Sequence, residues 1–210
     1  MTKTKVTDKI LQIKQFLHSC KYIKFLKEAD LDVLASKLVL KHCYDNQILC
    51  EQDEHCRSLH FIKNGQVTLY RVIRKADIDT SSFALTLREK LAHIPDEVEV
   101  EVKHKYNPGD ILMLTEVLHN LPSKYKVKVT IPSQIYVCTM FDLQRYIGLE
   151  KFVKVADADY FMSSDVELLK YYIEKLSWEE YRKSLIQVEF NHKDKLKYYT
   201  GHNGVREDPK

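Results

Sequence analysis

The sequence predicts an α+β fold: an antiparallel β-roll or jelly-roll barrel flanked by N-terminal and C-terminal helices. Three observations predict it. Apolar residues recur at helical steps near both ends, short β-like runs separated by turn residues fill the middle, and strict two-residue alternation marks at least one half-buried strand.

Ile10, Ile13, Phe16, Leu17 and Cys20, then Leu34 and Leu38, fall three and four residues apart, so residues 1–42 read as a helical segment with helix across 8–42. Asp30 suits the N-cap of its second helix, because a short carboxylate accepts from the free N–H groups of a first turn. Residues 43–148 read as the β-roll, with breaks at Asp45-Asn46, Gln52 to Ser58 and Asn64-Gly65. Asn64-Gly65 is the strongest hairpin signal, since both residues tolerate the positive φ of a two-residue turn. Residues 72–98 form a long insertion in which Phe83 to Ala92 suits an extra helix or a flap. Val98, Val100 and Val102 then alternate with Glu99, Glu101 and Lys103. Lys124, Lys126 and Lys128 alternate with Tyr125, Val127 and Val129, which reads as a solvated strand face rather than a nucleic-acid patch.

Residues 149–190 read as C-terminal helices. Ser164-x-x-Glu167 and Ser177-x-x-Glu180 are two capping boxes, each placed to open a helix, with Leu168, Leu169, Tyr172, Ile173, Leu176, Tyr181 and Leu185 as the apolar stripe. After Phe190 the sequence turns polar, and residues 191–210 read as a flexible tail.

Composition narrows the function. The net charge of +3 is too small to argue for nucleic acid or anionic membrane as a partner, and no apolar run approaches the roughly 20 residues of a membrane span. The N-terminus reads as amphipathic rather than secretory, so the chain is expected to be intracellular and cytoplasmic. Five cysteines, Cys20, Cys43, Cys50, Cys56 and Cys138, form no C-x-x-C pair and are odd in number, so reduced buried thiols are expected. His42, Cys43, Cys50, His55 and Cys56 lie close in sequence but lack zinc-knuckle spacing, and no metal is expected. With five glycines there is no phosphate-cradling loop, no dinucleotide fingerprint and no Gly-x-Ser-x-Gly elbow, so the chain is not expected to be an enzyme.

Four segments in order carry a resemblance. They are Leu31 to Leu38, Asn46 to Glu54, Ser58 to Tyr70, and the stretch from Asn107 to Val127 that opens on Pro108-Gly109-Asp110 and carries Pro122. Together they resemble the cyclic nucleotide-binding domain, the sensor module of cAMP-dependent kinase regulatory subunits, nucleotide-gated channels and bacterial cAMP-responsive activators. The resemblance covers about residues 25–150 and implies a β-roll of that type, with Phe141 to Gly148 as the helix after it.

In the register set by Pro108-Gly109-Asp110 and Pro122, the resemblance implies ligand positions that this chain has changed. The family's phosphate-approach glycine becomes Met113, its ribose-binding glutamate Leu114 and its phosphate-binding arginine Ser123; the two small residues that follow become Lys124 and Tyr125. Losing the two charged contacts is expected to cost about 3–6 kcal/mol, on the order of 10²–10⁴ in affinity. Glu116 and Lys124 could supply a replacement carboxylate and cation, although a lysine lacks the planar fork of an arginine.

The pocket positions to follow are therefore Gly109, Met113, Leu114, Glu116, Ser123, Lys124 and Tyr125, and the candidate protein-contact residues are Phe83, Leu87, Leu91, Tyr172, Trp178 and Tyr181. The expected function is a non-catalytic regulatory or scaffold module that does not bind cAMP or cGMP conventionally, with other proteins as partners and no cofactor, in an intracellular, cytoplasmic setting that extends to cytoskeletal or ciliary complexes. The alternative is a sensor of cAMP, cGMP or another small ligand, weakly bound, with the C-terminal helices as a lid.

Overall fold

The computed structural model describes residues 3–20, 23–81, 83–148, 150, 152 and 163–200. Helix α1 spans Lys3–Ser19 and α2 spans Glu28–Lys37. The strands are β1 (Val39–Cys43), β2 (Ile48–Cys50), β3 (Ser58–Arg74), β4 (Glu97–Tyr106), β5 (Ile111–Leu112) and β6 (Lys126–Thr139). Helix α3 (Leu85–Ala92) precedes β4, α4 (Leu114–Leu118) follows β5, α5 (Met140–Tyr146) follows β6, and α6 runs from Asp165 to Thr200.

The six strands form one antiparallel sheet in the order β1-β6-β3-β4, with β2 also on β6 and β5 also on β3. The long β3 and β6 form its spine. Their inward residues, Leu59, Phe61, Val67 and Leu69 on β3 and Val127, Val129 and Ile135 on β6, are buried. Helix α1 packs Phe16 on Tyr136 of β6, with ring centroids 5.2 Å apart, and α2 buries Leu31, Leu34 and Ala35.

The α+β class and the β-roll flanked by helices stand as expected, and the differences are local. Residues 39–42 belong to β1 rather than to a helix, because the run Val39 to Cys43 finds its hydrogen-bond partners on β6. Lys27, not Asp30, occupies the N-cap of α2; Asp30 lies three residues further on, in the first turn.

Asn64-Gly65 makes no hairpin. Strand β3 runs straight through it, and the register against β6 shifts at Ile62/Asn64, Asn64/Gln66 and Gln66/Val67. Gly65 has φ of +88° and Asn64 Oδ1 accepts from the backbone N–H of Gln134 at 2.7 Å, so the positive-φ signal is spent on a bulge rather than a turn. The expected pair of C-terminal helices is one helix of 36 residues. Ser164 and Glu167 form the predicted capping box, with Glu167 N donating to Ser164 Oγ at 3.2 Å and Ser164 N donating to Glu167 Oε2 at 3.0 Å. Ser177 is internal instead: its hydroxyl donates to the carbonyl of Ile173 at 2.9 Å, the usual way a mid-helix serine is satisfied without ending the helix. The helix continues past Phe190 to Thr200, where the sequence predicts a polar tail; residues 201–210 lie outside the described residues.

Cys50 and Cys56 are joined as a disulfide, contrary to the reduced thiols expected from the sequence. The turn at Gln52-Asp53, with Asp53 at φ of +65°, doubles the chain back until the two Cα atoms are 6.5 Å apart, inside the span a disulfide can bridge. Cys20, Cys43 and Cys138 are free and buried.

The chain divides into two compact units, one of residues 1–79 and 95–168, the other of residues 80–94 and 169–210. The second unit therefore contains α3, the helix expected within the insertion, and most of α6; Phe83, Leu91, Ile94, Leu169 and Ile173 are its buried apolar residues. Among the described residues no helix is long and apolar enough to cross a membrane.

Candidate functional site

The site is built on the turn between β4 and β5. Gly109, at φ of +91°, donates its N–H to the carbonyl of Ile62 at 2.8 Å, and Ile62 N donates to Asp110 O at 3.0 Å, which locks the turn onto β3. The Asp110 carboxylate accepts from Asn107 N at 2.8 Å and closes the turn from inside. Two residues of β5 follow, paired with His60 and Phe61.

Met113 then takes φ of 56° and ψ of 34°, the left-handed conformation that glycine adopts without steric cost. Met113 thus adopts a glycine-like backbone at the position the resemblance assigns to a glycine. Helix α4 starts on the next residue, Val117 N donating to Met113 O at 3.0 Å, and ends at Leu118, two residues before Asn120, whose φ is 51°. Past it the chain is held against the loop between β2 and β3: Ser123 N donates to Glu54 O at 2.8 Å, Asp53 N donates to Ser123 O at 2.7 Å, and Pro122 bridges to His55.

Four of the side chains at the positions the resemblance assigns to ligand contacts are buried. Met113, Leu114, Ser123 and Tyr125 are 4%, 8%, 1% and 6% exposed. The Ser123 hydroxyl donates to Tyr125 O at 2.5 Å, so it serves its own turn. Glu116 is half-buried, and burial pushes its carboxyl above the usual range, opposed in part by the Lys124 charge. Of these positions, Lys124 and Tyr125 line a cavity of about 610 Å³, together with Asp53, Arg71, Leu121, Pro122, Ser163, Ser164 and Asp165. Gly109, Met113, Leu114, Glu116 and Ser123 do not line it.

Arg71 of β3 is the residue that sequence reasoning missed. Its Nε donates to Asp165 Oδ1 at 2.8 Å, its Nη2 to Asp165 Oδ2 at 2.9 Å and its Nη1 to the carbonyl of Lys124 at 2.8 Å. The Asp165 bonds hold the guanidinium more firmly protonated than usual, against the opposing effect of burial. One arginine therefore ties the first turn of α6 to the end of the cassette. The two partners are 94 residues apart, and nothing in either local pattern announces the pair.

Because both side chains are partly screened by solvent, the Arg71–Asp165 coupling is expected to be modest. A double-mutant cycle with Arg71→Gln and Asp165→Asn, read by denaturant unfolding, should give about 1 kcal/mol. Additivity of the two single changes would show that the fork does not fasten the helix start.

The same architecture is found in solved structures. The regulatory domain of Toxoplasma gondii PKA, co-crystallised with cAMP, superposes with a TM-score of 0.58 at 16% identity, covering 76% of this chain and 53% of that one. The fold is that of a cyclic nucleotide-binding domain. A regulatory subunit of a cAMP-independent protein kinase A from Trypanosoma brucei, as a triple mutant bound to cAMP in its A site, gives 0.57 at 16% identity over 82% of this chain and 53% of that one. The second such domain of a PKA regulatory subunit, bound to Sp-2Cl-cAMPS, gives 0.51 at 14% identity over 81% and 93%. This chain spans about half the length of the first two. At these identities the likeness establishes the cyclic nucleotide-binding fold and nothing finer. No protein-family model and no curated protein matches the chain.

Beyond the cyclic nucleotide-binding roll, the candidate contact residues divide. Phe83 and Leu91 are buried, and the Lys170 ammonium sits 5.4 Å over the Phe83 ring. Leu87 and Tyr172 are half-buried. Trp178 and Tyr181 are 62% and 53% exposed on α6, their rings 5.7 Å apart, and Leu185, Ile186, Val188 and Phe190 extend the exposed apolar surface along the helix.

Proposed function

We propose that this chain is a non-catalytic regulatory or scaffold module of the cyclic nucleotide-binding fold, one that binds other proteins and does not hold cAMP or cGMP in the conventional way. The observation that carries the reading is the filling of the cassette. The positions that would approach phosphate and ribose are occupied by the buried side chains of Met113, Leu114, Ser123 and Tyr125, and the guanidinium at the cavity is already engaged by Asp165. A ligand entering there would have to break a two-bonded ion pair and would gain no carboxylate in exchange for its ribose hydroxyl.

Two further observations support the reading. The T. brucei regulatory subunit belongs to a kinase described as cAMP-independent, and the form that holds cAMP is a mutant in which one change introduces an arginine, so this fold can serve regulation without conventional nucleotide control. The exposed apolar residues from Trp178 to Phe190 on α6 are the kind of surface that protein partners cover. With no membrane-spanning helix among the described residues, we place the module in an intracellular, cytoplasmic assembly.

The cavity itself favours a second reading, a small-ligand sensor. About 610 Å³ lined by Arg71, Lys124 and Asp165 is room for a compact polar molecule, and α6 would be the element that moves. Calorimetric titration with cAMP and cGMP up to millimolar concentration separates the two. No saturable heat is expected; binding in the micromolar range would overturn the interaction-module reading in favour of the sensor.

A further inference from the structure

The loop from Cys50 to Cys56 joins two features described separately above. It is closed by the disulfide, and it is the surface on which the end of the cassette rests: Asp53 and Glu54 exchange backbone hydrogen bonds with Ser123 at 2.7 and 2.8 Å, and His55 bridges to Pro122. A further pair of bonds anchors it to β3, where Gln52 Oε1 accepts from Val72 N at 2.7 Å and Gln52 Nε2 donates to Val72 O at 3.2 Å. The loop also lines two cavities of the roll. Asp53 lines the Arg71 cavity, and Cys56 lines another of about 640 Å³ with Ser58, Val117, Leu118, Met140 and Phe141.

We propose that Cys50 and Cys56 are a thiol–disulfide switch that sets the rigidity of the cassette, oxidised by small disulfides of the glutathione class. The roles of the two sulfurs follow from their surroundings. Cys56 is half-buried at the edge of its cavity and is the attacking thiol; Cys50 is buried, at 5% exposure, and is the resolving thiol. The Cys56 thiolate attacks one sulfur of oxidised glutathione, forming a mixed disulfide and releasing one glutathione thiolate. Cys50 then loses its proton and attacks Cys56 Sγ, which expels the second. In total the protein gives up two protons and two electrons, and one glutathione disulfide becomes two glutathione thiols.

The remaining cysteines are excluded by the same reasoning. Cys20, Cys43 and Cys138 are buried and free, and burial pushes the Cys20 and Cys138 thiols up to about 12, so little thiolate is present to react. The consequence of closing the ring is mechanical. Opening it restores chain entropy to Glu51–His55, the segment that supplies the backbone partners of Pro122 and Ser123.

The test uses the full chain, reduced and then treated with oxidised glutathione. Peptide mapping should recover a Cys50–Cys56 link with Cys20, Cys43 and Cys138 still alkylatable after unfolding. Cys50→Ala should trap one glutathione on Cys56, and Cys56→Ser should trap none. Independently of any variant, amide hydrogen exchange at 53–55 and at Ser123 should be about tenfold faster in the reduced protein. Capture of glutathione on Cys50 in the Cys56→Ser protein, absence of any adduct on Cys56, or equal exchange at Ser123 in the two redox states would each overturn the proposal.

Discussion

Gly65→Ala is expected to destabilise the roll by about 4 kcal/mol. The residue sits at φ of +88°, where a side chain is strained whatever the space around it. Space is also lacking. A Cβ there would lie 2.6 Å from the carbonyl oxygen of Pro132 and 2.7 Å from Ser133 Cα, and would meet Ser133 Oγ closer still. Two of those three contacts are backbone of β6, so no rotamer change relieves them, and the two longest strands of the sheet would have to part where their register shifts. Denaturant unfolding reads the loss directly. Ser133→Gly, which removes only the Oγ contact, should fail to rescue it. A loss below about 1 kcal/mol in Gly65→Ala would show that the bulge is not pinned by this approach.

A second large effect is expected from pH, through His60. This histidine lies on β3 between β5 and β6, paired with Leu112 and Val137. Burial first, and the nearby Lys41 charge second, lower its folded pKa to about 4, with a backbone hydrogen bond at Ser58 opposing them. The unfolded chain binds a proton near the ordinary value of about 6.5, whereas the folded chain resists doing so until about 4. Between those limits the unfolded state holds more protons, so stability falls as pH falls, and above about 6.5 the histidine contributes no pH dependence. The full difference corresponds to roughly 3 kcal/mol. Unfolding midpoints at about pH 7 and about pH 4.5, compared between the wild type and His60→Gln, isolate the term from the carboxylates that titrate in the same window. A variant that loses as much stability on acidification as the wild type would remove His60 as the cause.

Both effects bear on the site, because β3 supports it along its whole length. His60 and Phe61 pair with β5 just before Met113, Gly65 shapes the middle of the strand, and Arg71 stands near its far end. Strand, cassette and helix start are one hydrogen-bonded construction within the first unit, so a change in the register of β3 would move Arg71 relative to Asp165 and Lys124.

What could be read before the structure followed from local periodicity and spacing. Val98, Val100 and Val102 alternate and are buried, while Lys126 reaches Glu99 at 3.1 Å on the solvated face, as two-residue alternation requires. The distance from Pro108-Gly109-Asp110 to Pro122 set the register in which Met113, Leu114 and Ser123 fall on the positions the resemblance assigns to ligand contacts. Ser164-x-x-Glu167 placed the start of α6, since a capping box is satisfied within four residues of chain.

The misreadings share a cause. Asn64-Gly65 and Ser177-x-x-Glu180 are local signals with two physical uses each, a turn or a bulge, a cap or a back-bonded mid-helix serine, and only packing chooses between them. The sequence by itself determined the fold class and the place of the Pro108-to-Pro122 segment within it, because these depend on residue identity at short range. The tertiary structure alone decided the Arg71–Asp165 fork, the Cys50–Cys56 link beneath the cassette and the filling of its interior by Met113 and Leu114. Each of those depends on where the backbone carries residues distant in sequence or folded back through a left-handed turn, and side-chain periodicity carries no information about that distance.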